Sequence, residues 1–440
     1  MIGIVGGGIA GLAAAYRLRT RGREVRVFEA GPAIGGLAAS YETAGDSVEA
    51  YYHHLSRSEE TITALAAELG IDVEWRIGTN AVYSDGLVHP LDTPWEILAY
   101  PRLSLSDTIR LALLTKGIAF DGFRPRPDAY ADLERYDELP AVEFLREEVG
   151  GRVYEEFFEP LLEAKFGSRA EEVSAAWLLG RIRFRGERDL LRGEVLGYVP
   201  GGFARLIDAL VEAIGPERIE TGARVEGIGI DDGTVDSLTV EGADGSETHP
   251  VDGVVVATMP DVLESLVGYG TELEFQGTIC SLYSLSEPLT GTYWLNVPEE
   301  APFGALIEHT EFVSQERYGG EHLLYVARYV QSTEEDVWTM DDSEVEALWT
   351  EGITDLFPEF DPETIQWVRT AREPRTAPIY TCGYLEEVIP YDLSSVAGGL
   401  TYAGMASRAQ YPERSLDGGV VAGFACADLA SERSSVGDRG

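Results

Sequence analysis

The sequence predicts an α/β fold built round a parallel sheet, and three observations carry that reading. The chain opens on a short apolar run, Ile2-Gly3-Ile4-Val5, which suits a strand buried on both faces. That run passes through Gly6-Gly7-Gly8-Ile9-Ala10-Gly11 into Leu12-Ala13-Ala14-Ala15-Tyr16-Arg17-Leu18, an Ala- and Leu-rich helix. Gly22 then ends the helix, and Glu24-Val25-Arg26-Val27-Phe28-Glu29 reads as a second strand closing on an acid. Strand, G-x-G-x-x-G, helix, strand and acid in that order are the fingerprint of a Rossmann-type dinucleotide site.

Each part of the fingerprint has its own physical task. Gly6 permits a tight turn, Gly8 lets the backbone approach a pyrophosphate, and Gly11 lets helix and strand pack closely. The helix start at Ile9 and Ala10 offers free N–H groups and the positive end of the helix dipole. Glu29 stands where it can accept hydrogen bonds from a ribose diol.

Composition bounds the rest. The chain has 440 residues, 44% of them hydrophobic, enough for two or three packed domains. Against 34 Lys and Arg stand 76 Asp and Glu, a formal net charge of −42. Such acidity excludes a binder of the nucleic-acid backbone and disfavours docking on anionic lipid by charge. Lysine occurs only as Lys116 and Lys165, and an acidic, lysine-poor surface fits a salt-rich cytoplasm, so a halophilic source is expected. Three spaced cysteines, Cys280, Cys382 and Cys426, make neither a disulfide framework nor a metal site and suit a reducing cytosol. The apolar start carries five glycines and no basic leader, and no run reaches the length of a membrane span. A soluble cytoplasmic protein is the default, with peripheral membrane contact as the one open variant.

Downstream of Glu29 the run Ala30-Gly31-Pro32-Ala33-Ile34-Gly35-Gly36 resembles the E-A-x-x-x-x-G-G extension of a flavoprotein superfamily. That superfamily contains amine oxidases, protoporphyrinogen oxidases, phytoene-type desaturases and UDP-galactopyranose mutases. The resemblance implies noncovalent FAD, with Gly35 and Gly36 along its phosphates and ribityl chain. Leu37 stands where the family has arginine. Gly222–Gly227 is similar to the family stretch in which the residue at Val225 meets adenine through its backbone. Asp252–Pro260, with Thr258, looks like the family strand at the edge of the FAD domain. Gly399–Gly404 resembles the last strand, with Met405 replacing the usual acid. Asp417–Gly423, including Gly418 and Val420, resembles the helix whose N-terminus faces the flavin N1/C2=O edge.

The same resemblance implies a Rossmann-type FAD domain made of discontinuous segments, 1–77, 197–262 and 395–432. An α+β substrate domain, 78–196 and 263–394, is inserted, and 433–440 form a flexible tail. Leu161–Gly167 is similar to a P-L-L-x-x-K-F/Y-G element of the protoporphyrinogen-oxidase branch. Tyr51-Tyr52-His53-His54 is similar to the mutase G-x-H-I-F-H stretch, which sets His54 near the flavin. On a strand His53 would face the other way. Arg408 and Tyr411 resemble the mutase G-R-x-x-x-Y element, which gives Arg408 a flavin or substrate contact.

Arg181, Arg183, Arg185, Arg188 and Arg192 concentrate positive charge, read either as an oxyanion clamp or as ion pairs with neighbouring acids. Tyr293, Trp294, Tyr325, Tyr329, Tyr380 and Tyr384 are read as pocket or core aromatics. Lys165 is the sole stand-in for the lysine that amine oxidases hold near flavin N5, and Cys382 is the one cysteine that resembles a flavin-attachment site. Leu103–Phe120 is expected to be a buried helix of the substrate domain, membrane contact being its alternative. The expected function is an FAD-dependent oxidoreductase that passes a hydride from a small organic substrate to flavin N5. The alternative is a mutase-like isomerase using reduced FAD without net redox. No metal is expected, and a homodimer is the default assembly.

Overall fold

The structure, a computed structural model, describes residues 1–121, 124–126, 132–184, 188–189, 191–297 and 301–437. At its base lies a five-stranded parallel sheet in the order 219–221, 25–29, 2–5, 253–256, 400–402. Ile2 stands level with Val25 on one side and with Gly253 on the other. The first strand is buried throughout, which explains its unbroken apolar run, and helix Ile9–Thr20 lies against the sheet. The closing helix, Leu416–Gly437, packs against that first helix. Two glycines set how near they come: a Cβ on Gly419 would lie 2.8 Å from the Ile9 side chain, and one on Gly423 2.3 Å from the Ala10 carbonyl oxygen. The helix runs on through much of the expected tail, and 438–440 lie outside the described residues.

A seven-stranded sheet forms the second layer, in the order 365–378, 275–285, 322–330, 305–308, 294–296, 80–84, 87–90. The aromatic-rich alternation noted in the sequence falls on its central strands. Strand Gly193–Tyr198 lies antiparallel to Glu74–Gly78 and Leu55–Ser56 in a smaller sheet. Between them the helices Pro94–Ala99, Leu105–Thr115, Ala141–Glu148, Glu159–Phe166 and Ala175–Phe184 form a cap. Helix Leu105–Thr115 buries Leu111 and Leu114 but leaves Leu105 and Ile109 exposed, so the expectation of a buried helix holds for one face only.

Candidate active site

A cavity of about 1580 Å³ runs from the carboxyl ends of the parallel strands to the helical cap. Its first part is the glycine turn. Gly6 has φ +104°, and a Cβ there would lie 2.7 Å from the Ala257 carbonyl oxygen, so only glycine fits. Gly11 packs tighter still, its hypothetical Cβ 2.0 Å from the Gly6 oxygen. At Gly8 nothing lies within 4 Å of such a Cβ. This opening, beside helix-start amides that no side chain caps, is the cradle a pyrophosphate requires.

The Glu29 carboxylate accepts hydrogen bonds from the amides of Gly7 and Gly31, both at 2.7 Å, so the second strand's acid is fixed at the crevice edge. Each oxygen keeps a further lone pair for a ribose hydroxyl. Gly35 and Gly36, at φ +109° and +55°, turn the chain back along Gly8, with the Gly35 amide 2.9 Å from the Gly7 carbonyl. Leu37, Thr258, Gly404 and Met405 line the continuation of the crevice. The closing helix presents its start there through Ser415, Leu416 and Gly419.

Gly11, Ala30, Val225, Gly418 and Val420 do not line the cavity. Gly11 serves packing, Val420 is fully buried in the core, and a Cβ on Gly418 would meet the Ala409 oxygen at 2.6 Å. Val225 is buried and pairs with Val240 in a three-stranded ribbon, while its neighbour Ala223 donates to the Glu29 carbonyl.

His54 lines the cavity, its Nδ1 2.8 Å from the Tyr293 hydroxyl. His53 lines it too, against the expectation from strand parity, because residues 52–54 are irregular and alternation does not apply. Burial pushes the His53 imidazole down to about 4, so it is neutral at physiological pH. Arg408 lies outside the cavity: it is exposed, paired with Glu134 and set over the Tyr411 ring. Gln410 of the same turn does line the cavity, but the Arg408 side chain is directed to Glu134 and Tyr411 rather than into the crevice, where the mutase resemblance implied a flavin or substrate contact. Cys382 does not line the cavity either.

The cavity wall directly before the closing helix is charged. Lys165, only 9% exposed, sets Nζ 3.1 Å from Glu413 Oε1, and Arg181 Nη1 reaches the same oxygen at 3.2 Å. Arg414 lies beside them, its Nε buried without a hydrogen-bond partner. The Tyr329 hydroxyl is 3.3 Å from that of Tyr52. Burial alone raises the Tyr329 phenol, but Lys165, Arg414, the Tyr52 hydrogen bond and Arg181 together pull it down to about 8. Burial likewise lowers Lys165 from the ordinary lysine value, with Glu413 opposing.

Among the described residues of the arginine cluster, Arg181 reaches the cavity. Arg183 and Arg192 are exposed, Arg185 lies outside the described residues, and the side chain of Arg188 does too. Among the aromatics Trp294 and Tyr329 line the cavity, whereas Tyr293, Tyr325, Tyr380 and Tyr384 are core. Sequence reasoning missed Glu413, Arg414 and Trp177. The first two carried a signal, an opposite-charge pair directly before a glycine-opened helix.

With this geometry, residues 9–430 match the family described as flavin containing amine oxidoreductase. The chain belongs to that family. This flavin-containing amine oxidoreductase is an oxidoreductase by class, and its cofactor is FAD, for which the open Gly8 cradle and the anchored Glu29 are fitting partners.

Among curated proteins, coproporphyrinogen III oxidase of Mycobacterium leprae is 28% identical over 279 residues, 58% of this chain and 58% of that protein. The match thus spans less than two thirds of that relative. Among solved structures, cyclohexylamine oxidase from Brevibacterium oxydans has a TM-score of 0.70 at 18% identity, covering 98% of this chain and 99% of that one. A reduced UDP-galactopyranose mutase has a TM-score of 0.72 at 18% identity, covering 98% and 95%. At these identities the two structures establish the shared fold. Among the described residues, no helix is long and apolar enough to cross a membrane.

Proposed function

We propose that the protein is an FAD-dependent oxidase that takes a hydride from a C–H bond of a small organic substrate. The observation that carries this reading is the continuity of one cavity from the Gly8 and Gly36 cradle to Lys165, Tyr329 and the helical cap. Bound there, the flavin supplies the electron sink. The protein's part is to hold and orient. Leu111, Leu161 and Phe184 give the cavity apolar walls that exclude water, and Trp294 with Tyr52 forms an edge-to-face pair, centroids 5.0 Å apart, on another wall. His54, oriented by Tyr293, offers a second polar contact to the bound ligands. A mutase role has no support beyond the shared fold, whereas the family match and the curated relative are both oxidoreductases.

The same reading includes a salt-rich, reducing cytoplasm, suggested by the charge of −42 and by three free cysteines. It also includes peripheral membrane contact, because Trp95, Leu105 and Ile109 are exposed on helices whose other residues line the cavity. The purified protein should show flavin absorbance that bleaches when an oxidisable substrate is added without oxygen and returns on aeration. A colourless protein to which FAD restores no absorbance would overturn the assignment.

A further inference from the structure

Three cations converge on one carboxylate in the cavity wall directly before the closing helix. Glu413 accepts from both Lys165 and Arg181 through a single oxygen, and the adjacent Arg414 faces the same carboxylate and the hydroxyls of Tyr329, Tyr52 and Tyr380. The count leaves two positive charges in excess, or one if Lys165 gives up its proton. In a chain of net charge −42 that is a deliberate local reversal. Burying cations without counter-charge is costly, so the arrangement is complete only when an anion joins it.

Unsatisfied donors point the same way. The Arg414 Nε–H and the indole N–H of Trp177 are both buried with no hydrogen-bond partner among the described residues, and both residues line this cavity. Trp177 belongs to the cluster, since Lys165 Nζ lies 4.9 Å from its ring centroid. Glu413 also keeps one oxygen free, but its charge is already met twice over. An ammonium group entering here would face three cations, whereas an oxyanion would satisfy both orphan donors and the surplus charge together.

We propose that Arg181, Arg414, Lys165 and the Trp177 indole form a subsite for an oxyanion carried by the substrate, so that the substrate is an organic acid rather than a simple amine. This rests on the oxidase reading, because it names what occupies the substrate end of that cavity. Carboxylate and phosphate share the chemistry a guanidinium recognises. Apolar walls beside the cluster call for a hydrocarbon or aromatic body behind the anion.

The test is calorimetric titration of the FAD-loaded protein with benzoate, phenyl phosphate and benzylamine, repeated by difference spectroscopy of the flavin bands. Benzoate or phenyl phosphate should bind and shift the flavin spectrum, and the tighter of the two identifies the substrate's anionic group. Benzylamine should bind at least about tenfold more weakly. Arg414→Gln and Arg181→Gln should each weaken anion binding about tenfold or more, with partial recovery in Arg414→Lys. Circular dichroism identifies any variant that fails to fold, and Arg181→Gln, at a side chain 29% exposed, then serves as the milder probe. Tighter binding of the amine, or anion binding that these variants leave unchanged, overturns the proposal. So does a yellow protein to which neither anion binds. Loss of the flavin signal itself would instead overturn the oxidase reading, and calorimetry still reports on the subsite.

Discussion

Lys165 and Glu413 are 248 residues apart in sequence, yet Nζ and Oε1 lie 3.1 Å from one another inside the cavity. Their side chains are 11% and 10% exposed, so solvent screens the pair little. Arg181 shares the carboxylate, and the two partners are therefore not equivalent.

Removing Glu413 strands the buried Lys165 and the half-buried Arg181 and Arg414, whereas removing Lys165 leaves Glu413 compensated by Arg181. Glu413→Gln should destabilise the protein by about 3–5 kcal/mol, the cost of breaking a buried pair from one side. Lys165→Met should cost much less, because a flexible apolar chain replaces the stem and no charge is stranded. Thermal unfolding of both variants checks the order, and equal losses would show that the pair is not embedded as described.

Gly8 and Gly11 separate the two tasks of the glycine turn. Gly8 has φ −76° and open space at its Cβ position, so Gly8→Ala should leave the folded apoprotein at wild-type stability. The added methyl group then stands where the cofactor phosphates approach, and FAD affinity should fall about tenfold or more. Gly11→Ala places Cβ 2.0 Å from the Gly6 oxygen and should cost about 2–4 kcal/mol even without cofactor. Apoprotein melting temperature and FAD titration, measured side by side, distinguish the two.

This contrast also explains what the sequence made legible. The FAD site is written in contiguous residues, Gly6 to Gly11 and Glu29 to Gly36, whose roles follow from local backbone geometry. The charged part of the cavity is not. Tyr52, Lys165, Trp177, Tyr329 and Arg414 come from separate stretches of chain, and only the packing of the helical cap on the seven-stranded sheet brings them together. Strand parity misjudged His53 because residues 52–54 follow no regular repeat. Arg408 followed a motif into the right segment, but its side chain leaves for solvent and Glu134.

Glu49 supplies a pH dependence away from the cavity. It is fully buried, accepting the Phe203 amide at 2.6 Å and the Tyr198 hydroxyl at 2.8 Å. Burial raises its carboxyl to about 7 against the backbone and Tyr198 hydrogen bonds, so the folded state binds this proton more tightly than the unfolded state does. Stability from this group is therefore unaffected below about pH 4 and falls as pH rises between about 4.5 and 7. Above that window the loss is constant. Glu49→Gln removes it, and the variant should match wild type at pH 4.5 while exceeding it by about 1–3 kcal/mol at pH 8. Denaturant titrations at the two pH values decide, and an equal offset at both would refute the linkage.

Salt dependence follows from the charge balance. With a net charge of −42 the folded surface repels itself, and screening shortens that repulsion from about 10 Å at 0.1 M salt to about 3 Å at 1 M. Salt also weakens surface ion pairs such as Arg102 with Asp85 at 3.0 Å, but exposed pairs contribute little individually. Relief of repulsion should win, and the melting temperature should climb with added NaCl and KCl alike. Screening saturates once the Debye length falls below the spacing of the charges, whereas exclusion of salt from apolar surface keeps strengthening with concentration. A steep rise that flattens near 1 M is therefore the expected curve. A melting temperature that falls with salt would mean that the ion pairs, rather than the surplus of carboxylates, govern the stability of this surface.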